Sequence, residues 1–175
     1  ESPNQPIAAA PGAVVRRDAS GNIARCEEQP AFFRQGEIDI ELSGRGRCAF
    51  DGVEFTWVRE RGAGSFHRPR PRAGQELFDA GPVGLKIKLR HWRPGDRFQP
   101  IGMTAPVKLQ DLFTNAKIPT ARRRGLVVAE SADGEIFWVE GLRIAERFKL
   151  GRRTRLRLRW SWRREENSPE EQSNP

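Results

Sequence analysis

Between Arg90 and Pro119 the sequence RHWRPGDRFQPIGMTAPVKLQDLFTNAKIP sets Arg90, Arg93, Arg97, Lys108 and Lys117 around a Pro94-Gly95-Asp96 break. Proline stiffens the backbone at that break, so the neighbouring guanidinium groups are held at low entropic cost. Arginine suits bidentate phosphate contacts, whereas lysine acts as a point charge. Lys108 sits near the start of a predicted helix, whose free N–H groups add to an anion-holding surface. Arg122, Arg123 and Arg124 follow, either as a phosphate clamp or as a solvated loop. The chemistry implied is the binding of an anion. The plainer alternative is that these cations solvate one face or pair with nearby carboxylates.

Catalysis finds much less support. The chain has no GxxxxGK[ST] phosphate loop, GxSxG, HExxH or paired CxxC motif. His67 and His91 have no partners at metal-ligand spacing, so hydrogen-bonded or solvated histidines are expected. Asp96 and Asp111 could form a carboxylate pair. The favoured reading has Asp96 close its turn and orient Arg97, and has Asp111 lie in the first turns of the helix, where the macrodipole favours it. No catalytic centre and no metal site is expected.

The distribution of charge points to the partner. The chain holds 31 Lys and Arg against 23 Asp and Glu, a net of +8. Residues 85–164 contain 20 basic and 7 acidic groups, a net of +13, while residues 1–84 are near neutral at −1 and residues 165–175 carry −4. Against an excess of that size the solvation alternative is weak. A polyanion is implied, with nucleic acid first, because each neutralised phosphate releases counterions. No run is long and apolar enough for a membrane helix, and the start, ESPNQPIAAAP, is not a signal peptide. That start also lacks a methionine, which suggests a segment of a longer polypeptide. Cys26 and Cys48 fit reduced thiols of a cytoplasmic protein.

The elements that would position these residues are mostly strands. Residues 1–12 read as a flexible linker and 13–75 as a β-rich first sheet region, with hairpins around Asp18–Asn22 and Asp51-Gly52 and a mobile loop over 61–74. Residues 76–164 read as the basic domain and 165–175 as a disordered acidic tail. Leu85, Ile87 and Leu89 alternate with Lys86, Lys88 and Arg90, which predicts core and solvent faces respectively. Leu109, Leu112, Phe113 and Ala116 form a helical stripe within a main helix over about 107–117, with Pro106 in its first turn. Residues 126–141 read as another hairpin. In the last strand, Leu156, Leu158, Trp160 and Trp162 oppose an arginine face, Arg153 to Arg163. That face either lines a phosphate path or guards an outer edge, and Trp160 or Trp162 is a lesser candidate for base stacking. The expected fold is a β-rich α+β domain: two packed sheets, or a half-open sandwich, of short and mostly antiparallel strands with one main helix.

Linked blocks sharpen this. Arg93-Pro94-Gly95-Asp96-Arg97-Phe98, then Pro100-Ile101-Gly102, Lys108 to Phe113, Lys117-Ile118-Pro119, Gly134 to Val139 and Gly141 to Ile144 resemble, in order and spacing, the C-terminal region of bacterial tRNA(Ile)-lysidine synthetase. Firm similarity covers about residues 76–150. The resemblance implies a domain that grips the acceptor-stem side of tRNA(Ile). It serves an N-terminal domain of the same polypeptide, where ATP and magnesium drive attachment of lysine to the wobble cytidine. The SGGxDS loop of that catalytic domain is absent here, and no cofactor is expected in this chain. Arg90, Arg93, Arg97, Lys108, Lys117, Arg122, Arg123 and Arg143 are the implied RNA contacts, with Pro94, Gly95, Asp96 and Gly102 shaping the loop. After Arg123 the family has an acidic residue and a proline, where this chain has Arg124 and Gly125. A free-standing structured-RNA-binding or ribosome-associated protein sharing the domain is the alternative.

Overall fold

The computed structural model describes residues 35–62 and 72–165, together with the backbone of three strands nearer the N-terminus. Those three form a unit of their own within Glu1–Arg34. Strands β1 (Ala8–Ala10), β2 (Ala13–Arg17) and β3 (Ile23–Cys26) make an antiparallel sheet in chain order. The β2–β3 pairing is the hairpin expected around residues 18–22. The linker expected over 1–12 is interrupted by β1, and its other residues lie outside those described.

The second unit begins at Gln35. It runs through β4 (Glu37–Glu41), β5 (Arg45–Phe50), β6 (Val53–Arg61), β7 (Gln75–Asp79), a short helix α1 (Ala80–Val83) and β8 (Lys86–His91). Two-residue strands β9 (Arg97–Phe98) and β10 (Val107–Lys108) follow, then helices α2 (Leu109–Asn115) and α3 (Thr120–Arg123). Strands β11 (Val127–Glu130) and β12 (Ile136–Val139), a 3-10 turn at Glu146–Phe148 and β13 (Leu156–Arg164) complete it. The long strands form two four-stranded sheets, ordered β12-β11-β8-β4 and β5-β6-β13-β7, with antiparallel pairing throughout. This is the β-rich α+β architecture of packed sheets expected from the alternating pattern.

Aromatic side chains hold the sheets together. Phe55 of β6 meets Trp138 of β12 edge to face at 5.5 Å, and Phe137 of β12 meets Phe78 of β7 at 5.2 Å and Trp160 of β13 at 6.0 Å. All five rings are fully buried. Each buries a large apolar area, and the edge-to-face pairs add about 0.5–1.5 kcal/mol apiece beyond burial. Trp160 is therefore core and offers no face to a nucleobase.

Several expectations change with the topology. Residue 75 separates no structural units, because β4 pairs with β8 while β5 and β6 share a sheet with β13. Strand β13 starts at Leu156 and lies inside its sheet, so its arginines guard no edge. Arg159 and Arg163 pair across to Glu60 and Glu54 of β6, each at 2.9 Å. Leu85 precedes β8 and is exposed, whereas Arg90, near the strand's other end, is buried. Most of the 61–74 loop and the tail beyond Glu165 lie outside the described residues.

Turn chemistry fixes the registers. Asp51 and Gly52 take φ values of 47° and 70°, the two-residue hairpin turn that an Asp-Gly pair favours, and Phe50 then pairs with Val53. Further along the same hairpin, Gly46 pairs with Trp57, and a Cβ at Gly46 would lie 2.2 Å from Trp57 Cζ2. Gly46→Ala must displace that indole, and we expect it to cost about 1–3 kcal/mol. Chemical denaturation monitored by tryptophan fluorescence measures this, and an unchanged midpoint would show that the ring moves freely.

Candidate nucleic-acid interface

The loop after β8 is built on a buried cation. Arg90 is only 6% exposed. Its Nε donates to Glu130 Oε2 at 2.7 Å, Nη1 to Asp96 Oδ2 at 2.8 Å and to the His91 carbonyl at 3.1 Å, and Nη2 to Asp96 Oδ1 at 3.0 Å. Four of its five N–H groups are thus engaged. Burial pulls its pKa down, but the hydrogen bonds to Asp96 and Glu130 outweigh that and raise it above the usual arginine value. Arg90, expected to contact RNA, instead ties the loop to the sheet.

Asp96 completes the turn. Its Oδ2 also accepts from the Arg93 N–H at 2.7 Å, while its own N–H donates to the Arg93 carbonyl at 3.0 Å. Asp96 therefore closes the turn as expected, but the side chain it orients is Arg90 rather than Arg97. Gly95 takes φ 96°, a value L side chains rarely adopt, and Pro94 fixes the entry. Gly102 likewise has φ 88°. Pro94, Gly95, Asp96 and Gly102 all sit at bends of the backbone.

Beyond the turn, β9 and β10 set Arg97 opposite Lys108 and Phe98 opposite Val107. Arg97 donates to the Pro106 carbonyl at 2.8 Å. Val107 and Lys108 thus belong to a strand, and the helix expected over 107–117 contracts to Leu109–Asn115, with Pro106 outside it. Leu109 and Phe113 are buried, Leu112 is partly so, and Ala116 is exposed. Asp111 lies in the first turn of the helix, on a different element from Asp96.

Helix α2 ends in an unusual cap. Lys117 has φ 54°, with its N–H on the Thr114 carbonyl at 3.0 Å and the Ile118 N–H on the Phe113 carbonyl at 2.9 Å. That bonding is the glycine-favouring Schellman arrangement, here made by a lysine. Next, Arg123 Nε donates to the Ile118 carbonyl at 2.8 Å, and Trp92 Nε1 donates to the Arg123 carbonyl. Gly141 lies against Ile118, and the Ile101 N–H bonds the Ile144 carbonyl at 2.8 Å. The turn bearing Arg143 is therefore knitted to both the helix end and the β9–β10 loop.

The cations divide by partner. Arg93 Nη2 lies 2.7 Å from Glu37, which also takes Lys88 at 2.9 Å. Hydrogen bonds from Lys88 and then Arg93 hold the Glu37 carboxyl below its usual range. Arg147 is held between Asp133 and Glu135 at 2.6 Å each. By contrast, Lys108, Lys117, Arg122, Arg124 and Arg143 are exposed and form no ion pair among the described residues. Arg97 has only a carbonyl. A cleft of about 390 Å³, lined by Arg97, Glu135, Arg147 and others, opens beside the loop, and its charges largely balance.

Other groups were not legible as a site in the sequence. Glu130 accepts from Arg90 across 40 positions of chain, and Arg164 clamps buried Glu140 at 2.6 and 2.7 Å while reaching the Gly125 carbonyl at 3.0 Å. Only a strand-end carboxylate hinted at either. His91 accepts the Gly36 N–H at Nδ1 and faces Asp51 at Nε2, a structural role. Burial pushes the Cys48 thiol up to about 11. Among the described residues no three His, Cys, Asp or Glu side chains converge as metal ligands, and no helix is long and apolar enough to cross a membrane.

Comparison with known proteins agrees with this geometry. Residues 87–160 match the family model of the TilS substrate C-terminal domain. The tRNA(Ile)-lysidine synthase of Clostridium acetobutylicum is 40% identical over 91 residues, 52% of this chain and 20% of that protein. The synthase of Geobacillus kaustophilus is 40% identical over 79 residues, 44% of this chain and 17% of that protein. This chain spans about a fifth of these relatives' length. A crystal structure of a TilS C-terminal domain superposes with a TM-score of 0.59 at 26% identity, covering 74% of this chain and 98% of that one. Residues 87–160, from within β8 into β13, are therefore similar in sequence and in fold to the C-terminal domain of tRNA(Ile)-lysidine synthases.

Proposed function

We propose that this domain binds the acceptor-stem region of tRNA(Ile) in the cytoplasm and so presents the tRNA to a catalytic domain of the same enzyme. There, ATP and magnesium would support attachment of lysine to the wobble cytidine. The observation that carries this reading is the set of exposed cations without carboxylate partners, held on loops that Arg90 and Asp96 make rigid. A stem of double-helical RNA offers phosphates and 2′-hydroxyls, and is gripped through shape and charge.

In this reading Arg97, Lys108, Lys117, Arg122 and Arg143 touch RNA. Arg123 holds the helix end through its Nε, and its remaining donors are available to phosphate. Arg93 must release Glu37 or share it, so it contributes less. Arg90 acts through the loop it fixes and makes no contact itself.

Filter binding to tRNA(Ile) across a salt series tests the proposal: affinity should fall steeply with salt, and binding without salt dependence would end it. Comparable affinity for unrelated structured RNAs would favour a general RNA-binding protein. Arg97→Ala and Lys108→Ala should each weaken binding and lower the salt slope by about one unit. Asp96→Ala, which removes one of the two carboxylates that pair with the buried Arg90, should cost about 3 kcal/mol of stability and also weaken tRNA binding. Lys117→Gly separates the two roles of its residue. Relieving the left-handed backbone should raise stability by up to about 1 kcal/mol while tRNA affinity drops, and a variant gaining stability with full affinity would remove Lys117 from the interface.

A further inference from the structure

Ten consecutive residues, Phe98 to Val107, carry no charge in a chain that is 31% Asp, Glu, Lys and Arg, and cations close both ends at Arg97 and Lys108. Pairing of β9 with β10 makes this stretch a hairpin whose tip is residues 99–106. Residues 102–106 are all exposed, and Met103 is one of two exposed large hydrophobic side chains among the described residues.

The tip is exposed yet firmly held. The Gly102 N–H donates to Glu146 Oε2 at 2.8 Å, Met103 N–H to the Pro100 carbonyl at 3.0 Å, and Gln99 Nε2 to the Met103 carbonyl at 2.6 Å. The Glu146 N–H returns a bond to the Gln99 carbonyl at 2.8 Å, and Ile101 is tied to Ile144. Arg97 ties down Pro106 from the other side. Hydrogen bonds from Lys149 and then from the Gly102 N–H keep the Glu146 carboxyl below its usual range. The result is a rigid uncharged crest with Arg97 and Lys108 at its foot and Arg143 beside Ile144 at its flank.

A phosphate row gives such a crest nothing to bind. The A-form minor groove does: it is wide and shallow, with riboses and 2′-hydroxyls between two lines of phosphate. We propose that the 99–106 tip enters the minor groove of the bound RNA stem, with Met103 packed on riboses and the flanking cations on the phosphates at either side. The tip would then tell RNA from DNA through the 2′-hydroxyl. This inference rests on the RNA-binding reading above and specifies the groove used.

The test measures binding of the full chain to one stem-loop made as RNA, as DNA, and as RNA with a 2′-O-methylated stem, by fluorescence anisotropy at matched salt. The RNA stem should bind about tenfold more tightly than the DNA stem, and methylation should abolish most of that gain. Met103→Ser should bring RNA to within about threefold of DNA, while Met103→Leu keeps the preference. Arg97→Ala combined with Lys108→Ala should weaken RNA and DNA alike. Equal binding of the wild-type chain to RNA and DNA stems, indifference to methylation, or a full RNA preference in Met103→Ser each overturns the proposal. Failure of the underlying reading looks different: neither stem binds in a salt-dependent way.

Discussion

A buried guanidinium governs the basic half of this molecule. Arg90 stands in an interior strand, yet it carries a largely buried charge, so its position is tolerable only while Asp96 and Glu130 remain beside it. That requirement fixes the Pro94–Asp96 turn against the sheet. It passes onward, because the Leu109 N–H bonds the Asp96 carbonyl at 2.9 Å, so the start of α2 is set by the same residue. From α2 the chain of contacts runs through Lys117, Ile118 and Arg123 to Trp92, which returns it to the end of β8. The loop system is closed on itself, with one doubly paired guanidinium at its root.

Around that root the sheets supply stiffness rather than chemistry. Fully buried Phe and Trp rings from both layers interlock, and residues on either side of position 75 contribute to each sheet. A domain assembled this way cannot shed its N-terminal strands without losing β6, the partner that covers the whole length of β13. Backbone strain appears instead at the rim. A lysine, Lys117, holds a left-handed position that glycine would fill more cheaply.

The distribution of counter-charges separates structural from binding cations. The arginines of β13 and β8 face glutamates across their sheets, and Arg164 is locked to Glu140. Lys108, Lys117, Arg122, Arg124 and Arg143, on β10, α3 and the turns around them, face solvent. Net charge alone merges the two groups. The second group is the one that can exchange water and counterions for phosphate.

The sequence by itself determined the class of fold, the hairpins at Asp51-Gly52 and between β11 and β12, and the resemblance of the basic half to a synthase C-terminal domain. Strict alternation, turn residues and linked motifs are local signals, and they survive without knowledge of the third dimension. Which cations are free was decided only by the tertiary structure. Arg90 alternates like a solvent-facing residue, and nothing local reveals that Glu130, far along the chain, lies opposite it with Asp96 alongside. In the same way, the arginine face of β13 reads locally as either a phosphate path or an edge guard, and only its place between β6 and β7 removes the edge. Lys108 read as helix until the β9–β10 pairing claimed it. Burial and ion pairing depend on partners distant in sequence, and a periodic pattern records only which way a side chain points, not what waits for it there.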